Sequence, residues 1–224
     1  NVTIKGLNPG MRSNIDVNGI NDLLGPGGGS KLVARNAEAA IKVETGMKGV
    51  KIMNLMVSGG TEAKNIGIHF VGATDNGMLS NIIGINLHTG VKIEQAKNMQ
   101  IVNCWVCELP NSIELIGGEN IVVKNCQLGA QPTGITCKVQ EVNKLSFINN
   151  QVYPDGRENL VLDACNNCVI EGNNFKSYYN GILVLNGNDN TVNKNIFWLT
   201  GAVQNQLLDH GDDFGIINVK GNNN

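Results

Sequence analysis

Three glutamates and two cysteine pairs have the types and spacing for chemistry. Cys104 and Cys107, with Cys165 and Cys168, make two Cys-x-x-Cys pairs, the pattern of a four-cysteine zinc site. Glu94, Glu108 and Glu114 lie close in sequence. Paired carboxyls can break a glycosidic bond, one protonating the leaving oxygen while the other serves as base or nucleophile. LLDHGDDF, residues 207–214, gathers Asp209, His210, Asp212 and Asp213. It reads as a substrate contact, a subunit contact, a calcium site built from carboxylate oxygens, or a polar surface loop. Tyr178 and Tyr179 offer rings on which a sugar could stack, and turn packing accounts for them equally well. What these groups can do depends on the elements that position them.

Those elements repeat. Short apolar segments begin at Ile41, Ile66, Val91, Ile113, Ile135, Leu160 and Ile182, spaced by 22 or 25 residues. A second series follows about ten residues behind, in VKIMNLMV, MQIVNCWV, IVVKNCQL, LSFINNQV, CVIEGNNF and TVNKNIFW. Asn fills about one position in six and Gly is abundant; both accept the left-handed backbone of tight turns and both weaken helices. Short strands and Gly/Asn turns in every 22–25 residues predict an all-β fold, a parallel β-helix. A β-sandwich would not hold such a register, and the LxxLxL signature of a leucine-rich horseshoe is missing. The repeat covers 41–224. Residues 1–40 read as an irregular, Gly-rich coil and loop, whose GPGGGS lacks the lysine and spacing of a phosphate loop. Further coils or a cap are expected beyond both ends, because an open β-helix exposes strand edges.

Strand parity then sorts the candidates. Ile68, Ile93, Ile113, Leu115, Cys137 and Leu160 are expected inward, as are Ile182 and Val184. Gly67, His69, Lys92, Glu94, Glu114, Thr136, Lys138, Asp163, Leu183 and Leu185 are expected outward. Charged side chains at fixed spacing on a flat sheet make a rigid platform for an extended ligand such as a polysaccharide. Glu94 and Glu114, one coil and two residues apart, would have Cα atoms roughly 8 Å apart. A solvated charge ladder is the plainer account of the same residues. The repeat turns the cysteines from zinc toward core packing: Cys104 and Cys126 each follow an Asn at the same place in adjacent coils, and Cys168 aligns with Ile121. No metal or cofactor is expected. With a net charge of −2 and no run of Lys or Arg, phosphate-driven nucleic-acid binding is disfavoured, and no apolar stretch approaches the ~20 residues of a membrane helix.

Taken in order, NVTIKGLNPGMRSNID with GPGGGS, NIGIHFVGATDNG, NCWVCELPNSIEL, YNGILVL and GDDFGIINVKGNNN resemble the inulin fructotransferases and the related difructose anhydride hydrolases. The resemblance runs over nearly the whole chain and rests on the order of its motifs. It implies a right-handed parallel β-helix, a homotrimer with sites between neighbouring subunits, and a lyase-type intramolecular fructosyl transfer that releases a cyclic difructose anhydride from inulin. The hydrolase branch would open that anhydride with water. The family's essential Glu falls on Glu114. Its essential Asp falls on Asn103, which can act neither as base nor as nucleophile, leaving Glu94 or Glu108 to supply the second acid. His69, Lys92, Lys138, Asp163, Tyr178, Asp212 and Asp213 are the substrate-binding candidates. The transferases imply secretion and the hydrolase branch the cytoplasm. From a different class, a non-catalytic polysaccharide-binding or structural β-helix fits the Asn at position 103. A pectate-lyase-like enzyme would want a calcium-binding acid cluster on the platform and an Arg, and Arg is scarce.

Overall fold

The computed structural model of the chain describes residues 1–7, 30–59, 64–154, 156–178, 182–199 and 215–224. Every regular element among them is a β-strand, and every pairing is parallel. The strands wind into a β-helix of about seven turns with three faces. The first face stacks Ala39–Val43, Ile66–Phe70, residues 89–94, 111–116 and 135–140, Glu158–Asp163, Leu183–Asn186 and Ile217–Lys220. The second runs from Thr3–Lys5 through residues 51–53, 78–80, 100–102, 122–124 and 146–148 to Val169–Glu171 and Thr191–Asn193. The third runs from Lys31–Ala34 to Ile196–Leu199.

The corners explain the Asn content. Between the second and third faces Asn54, Asn81, Asn103, Asn125 and Asn149 all have φ of 53–57°, a region that Asn visits more readily than most residues. Inward side chains then form continuous columns; on the second face these are Ile52, Leu79, Ile101, Val123, Phe147 and Ile170, all at most 1% exposed. No coil closes this core alone, so each depends on its neighbours.

Polar ladders thread the same interior. Next to the second corner the column reads Cys104, Cys126, Asn150, Asn173 and Asn195. The Asn150 Nδ2 donates to the Val123 carbonyl at 3.0 Å and the Asn173 Nδ2 to the Phe147 carbonyl at 2.8 Å. Each Asn also accepts from the backbone N–H one coil below, Cys126 to Asn150 at 2.9 Å and Asn150 to Asn173 at 2.8 Å. At the other corner Cys168 N–H donates to Asn190 Oδ1 at 3.0 Å. All six cysteines are free and buried, and Cys168 stands above Leu145 and Ile121 as the repeat predicts. Burial pushes the Cys137 thiol well above its ordinary value, the behaviour of a small core residue and not of a reactive thiolate.

Three sequence expectations shift. Strands Thr3–Lys5 and Lys31–Ala34 already pair with Lys51–Gly59, so the solenoid includes parts of the first forty residues; residues 8–29 lie outside those described. The register also differs by one or two residues in places: Ile41 pairs Ile68, Ile113 pairs Cys137, and Leu160 pairs Leu183. As a result Leu183 and Leu185 are buried at 0% and 1% exposure and Val184 faces outward, the reverse of the expectation. Gly67 and Thr136 also turn inward. A Cβ on Gly67 would meet the Gly90 carbonyl and the side chains of Leu87 and Val57, while Thr136 is fully buried and its hydroxyl accepts from Ala130 N–H at 3.2 Å. The chain bends at the third-to-first corner, and strand alternation does not survive the bend.

Candidate functional site

The first face presents two outward rows. One reads Lys42, His69, Lys92, Glu114, Lys138, Val161, Val184 and Asn218 from coil to coil. The other, two residues on, reads Glu94, Ile116, Gln140, Asp163, Asn186 and Lys220. The structure therefore brings His69, Lys92, Glu94, Glu114, Lys138 and Asp163 onto one surface. Pleating and parallel register suffice to do this, because outward residues two apart in each rung become columns when the rungs stack.

The two glutamates differ in environment. Glu94 accepts an ion pair from Lys92 Nζ at 2.9 Å and faces His69 Nε2 at 3.5 Å. The hydrogen bond from Lys92, opposed in part by burial, holds its carboxyl below the usual value of 4.5. His69 is 4% exposed and sits between two carboxylates, with Glu38 Oε1 3.6 Å from its Nδ1. Glu114 is half-buried and is positioned by a neutral partner, the Thr89 hydroxyl, which donates to its Oε1 at 3.3 Å. That hydroxyl has one proton. While that proton points to Glu114, the contact between Thr89 Oγ1 and His88 Nδ1 at 3.1 Å is made by an N–H on His88 Nδ1. Sequence parity missed Thr89 and His88, which lie at the corner where alternation breaks; the step Thr89–Gly90 ahead of an outward Lys92 was the available signal.

The environment of Glu94 makes a pH prediction. A carboxyl held below its unfolded value stabilises the fold above the ordinary Glu range, and that contribution is lost as pH falls through the folded value. Lys92→Met is expected to move the Glu94 titration upward toward 4.5 and to shrink the acid-dependent part of stability. Carbon-detected NMR titration of the Glu94 carboxyl checks it; an unmoved titration would mean that Lys92 does not hold the group ionised.

The remaining candidates lie elsewhere. Asn103 is exposed at the corner between the second and third faces, with φ of 56° and its N–H on the Lys124 carbonyl at 3.1 Å. Within one chain it does not share a surface with Glu114. Glu108 is exposed at the third-to-first corner with φ of 65°, off both outward rows. Tyr178 is half-buried just past the third-face strand Asn174–Ser177. Asp212 and Asp213 lie outside the described residues.

Above Glu114 the face hollows into a cavity of about 480 Å³, bordered by Lys138, Val161, Asp163, Val184, Asn186 and Lys220. Asn186 Nδ2 donates to Asp163 Oδ1 at 2.7 Å between adjacent coils. Charged, amide and apolar groups thus share one groove that continues the row containing Glu114.

The fold is that of known carbohydrate-active proteins. The DFA-IIIase of Arthrobacter chlorophenolicus A6 in complex with DFA-III superposes with a TM-score of 0.76 at 18% identity, over 98% of this chain and 66% of that one. The same enzyme in complex with GF2 gives 0.73 at 22% identity, over 87% and 52%. A tailspike protein of Acinetobacter baumannii bacteriophage Fri1, a capsular polysaccharide depolymerase, gives 0.50 at 13% identity, over 75% and 42%. The expected resemblance thus holds for the fold, and this chain spans about half the length of most DFA-IIIase structures it matches. No curated protein sequence matches. The family described as periplasmic copper-binding protein (NosD) matches over residues 31–197 and 104–224. Copper would require soft or imidazole ligands converging on one point. Among the described residues no three His, Cys, Asp or Glu side chains do so, and the thiols of Cys104, Cys126 and Cys165 contact backbone carbonyls inside the core, so these residues do not fit the ion. With both matched stretches stacking through the same three-faced coil, the chain belongs to the NosD family of β-helix proteins.

Proposed function

We propose that the protein is a fructan-processing enzyme of the inulin fructotransferase type, releasing a cyclic difructose anhydride from inulin by intramolecular fructosyl transfer. The observation that carries this reading is the unequal pair on the first face: Glu94 held ionised by Lys92, and Glu114 held by a neutral hydroxyl beside an open groove. With Glu94 committed as the anion by Lys92, the acid role falls to Glu114, the carboxyl nearer the groove. Glu114 gives its proton to the leaving glycosidic oxygen as the bond to the anomeric carbon breaks. Glu94, an anion, stabilises the positive charge on the sugar ring and accepts the proton of the neighbouring fructose hydroxyl as it closes on that carbon. Complexes of the fold neighbours with DFA-III and GF2 support a fructan ligand. We carry a homotrimer, and secretion of a transferase that meets polymeric inulin, as parts of the same proposal.

Two other readings have support. The names and DFA-III complex of the fold neighbours favour the hydrolase direction, in which water replaces the attacking hydroxyl. Asn103, exposed at its corner, favours a non-catalytic polysaccharide-binding or structural β-helix, since an amide stands where the second acid is expected. Product analysis after separate incubation with inulin and with difructose anhydride decides among them. Anhydride from inulin supports the transferase and fructose disaccharide from the anhydride the hydrolase; binding without turnover of either would overturn both enzymatic readings.

A further inference from the structure

We propose that the groove over Val161 and Val184 is a sugar-binding subsite that aligns a fructan chain along the solenoid axis, from Glu114 toward the C-terminal coils. The inference rests on the fructan reading of this face and adds where, and in which direction, the non-reacting part of the chain lies.

The outward row changes character at one place. From Lys42 to Lys138 every rung presents a charged or imidazole side chain; the next two rungs present Val161 and Val184. These valines are half-buried and stack directly in register. An outward valine is ordinary by itself, but two in succession form the floor of a cavity of about 480 Å³, within the roughly 300–1,000 Å³ of small-ligand sites. Its rims are hydrogen-bonding: Lys138 on the side of Glu114, the Asp163–Asn186 pair along one flank, and Lys220 at the far end. A sugar ring has the matching surface, with C–H faces for an apolar floor and hydroxyls around its edge for amide, carboxylate and ammonium groups. Because Asn186 already donates to one Asp163 oxygen, the carboxylate is oriented before a ligand arrives, which lowers the ordering cost of binding.

The register sets the distances. Coils stack about 4.8 Å apart, so Val161 is two coils, ~10 Å, and Val184 three coils, ~14 Å, from Glu114 along the axis. That is the reach of about two or three linked sugar rings. A unit cleaved at Glu114 would leave its neighbours over the valines, with Lys138 between the reacting bond and the floor.

Titration calorimetry with fructo-oligosaccharides of two to six units tests this on Glu114→Gln protein, which keeps the groove while turning ligand over far more slowly. Affinity is expected to rise with length up to about four units. Val184→Trp, which fills the groove from an outward position, is expected to weaken binding of the longer oligosaccharides by about tenfold or more and to leave the shortest nearly unchanged. Val184→Thr, of the same shape, is expected to retain most of the gain, and melting curves verify that both variants fold. Length-dependent affinity that survives Val184→Trp would overturn the subsite while leaving the fructan reading intact. Absence of binding by any fructan would overturn the fructan reading itself.

Discussion

Glu114→Gln is expected to lower kcat on the proposed fructan substrate by about 10²–10⁴-fold with little change in KM. Glutamine keeps the shape of the side chain, and its amide oxygen can still accept from Thr89 at the position Oε1 occupies, 3.3 Å away. Binding and positioning should therefore persist. What is lost is a proton that can be given to a leaving oxygen. The variant also separates general-acid catalysis from a structural role. An artificial fructoside whose leaving group needs no proton should react nearly as fast with Gln as with Glu, whereas a folding or packing defect would slow both substrates alike. Undiminished kcat on the proposed substrate would remove Glu114 from the mechanism. Glu94→Gln is the companion: losing the anion should slow both kinds of substrate, because the charge developing on the ring is the same for either leaving group.

Asn173→Leu is expected to destabilise the fold by about 3–5 kcal/mol, the largest stability effect among the substitutions considered. Asn173 is 1% exposed. Its Nδ2 donates to the Phe147 carbonyl at 2.8 Å and its Oδ1 accepts the Asn150 N–H at 2.8 Å. Leucine has comparable size but can do neither, so a buried carbonyl and a buried N–H lose their partners at about 1–3 kcal/mol each. The ladder adds to this, since Asn150 and Asn195 also bond to Asn173 at 3.1 and 2.9 Å. Chemical denaturation monitored by circular dichroism measures the effect. Asn120→Gly is the control: Asn120 is exposed, bonds Asn98 at 2.7 Å, and has φ of 58°, which glycine adopts freely. Its cost should stay below about 1 kcal/mol. Similar losses in the two variants would mean that the inner ladder is no more important than the outer one.

The two predictions draw on residues that were unequally visible in the sequence. Glu114 was legible as an outward acid because it lies mid-strand, where alternation is strict. The Cys-x-x-Cys pairs were correctly assigned to packing because the repeat aligned Cys104 with Cys126 and Cys168 with Ile121. Asn173 shows the limit. Its sequence neighbourhood, EGNNF, contains two asparagines, and nothing local says that one is at 1% exposure inside the core while Asn174 lies outward on the third face. Val184 and Leu185 changed places for a related reason. Leu160 pairs with Leu183 and not with Ile182, and one residue of slip inverts every side chain that follows.

The amino-acid sequence by itself determined the architecture. A period of 22–25 residues, inward apolar alternation and asparagines suited to left-handed corners leave a parallel β-helix as the arrangement that buries every coil. It also determined that Lys92, Glu94, Glu114 and Lys138 share a surface, because that follows from parity within neighbouring strands. Only the tertiary structure decided which groups touch. The Lys92–Glu94 pair, the Thr89 hydroxyl on Glu114, the groove over Val161 and Val184, and the separation of Asn103 from Glu114 all depend on how the corners turn. Alternation along a strand is a local property of the backbone, whereas the register between coils is set by packing among residues more than twenty positions apart.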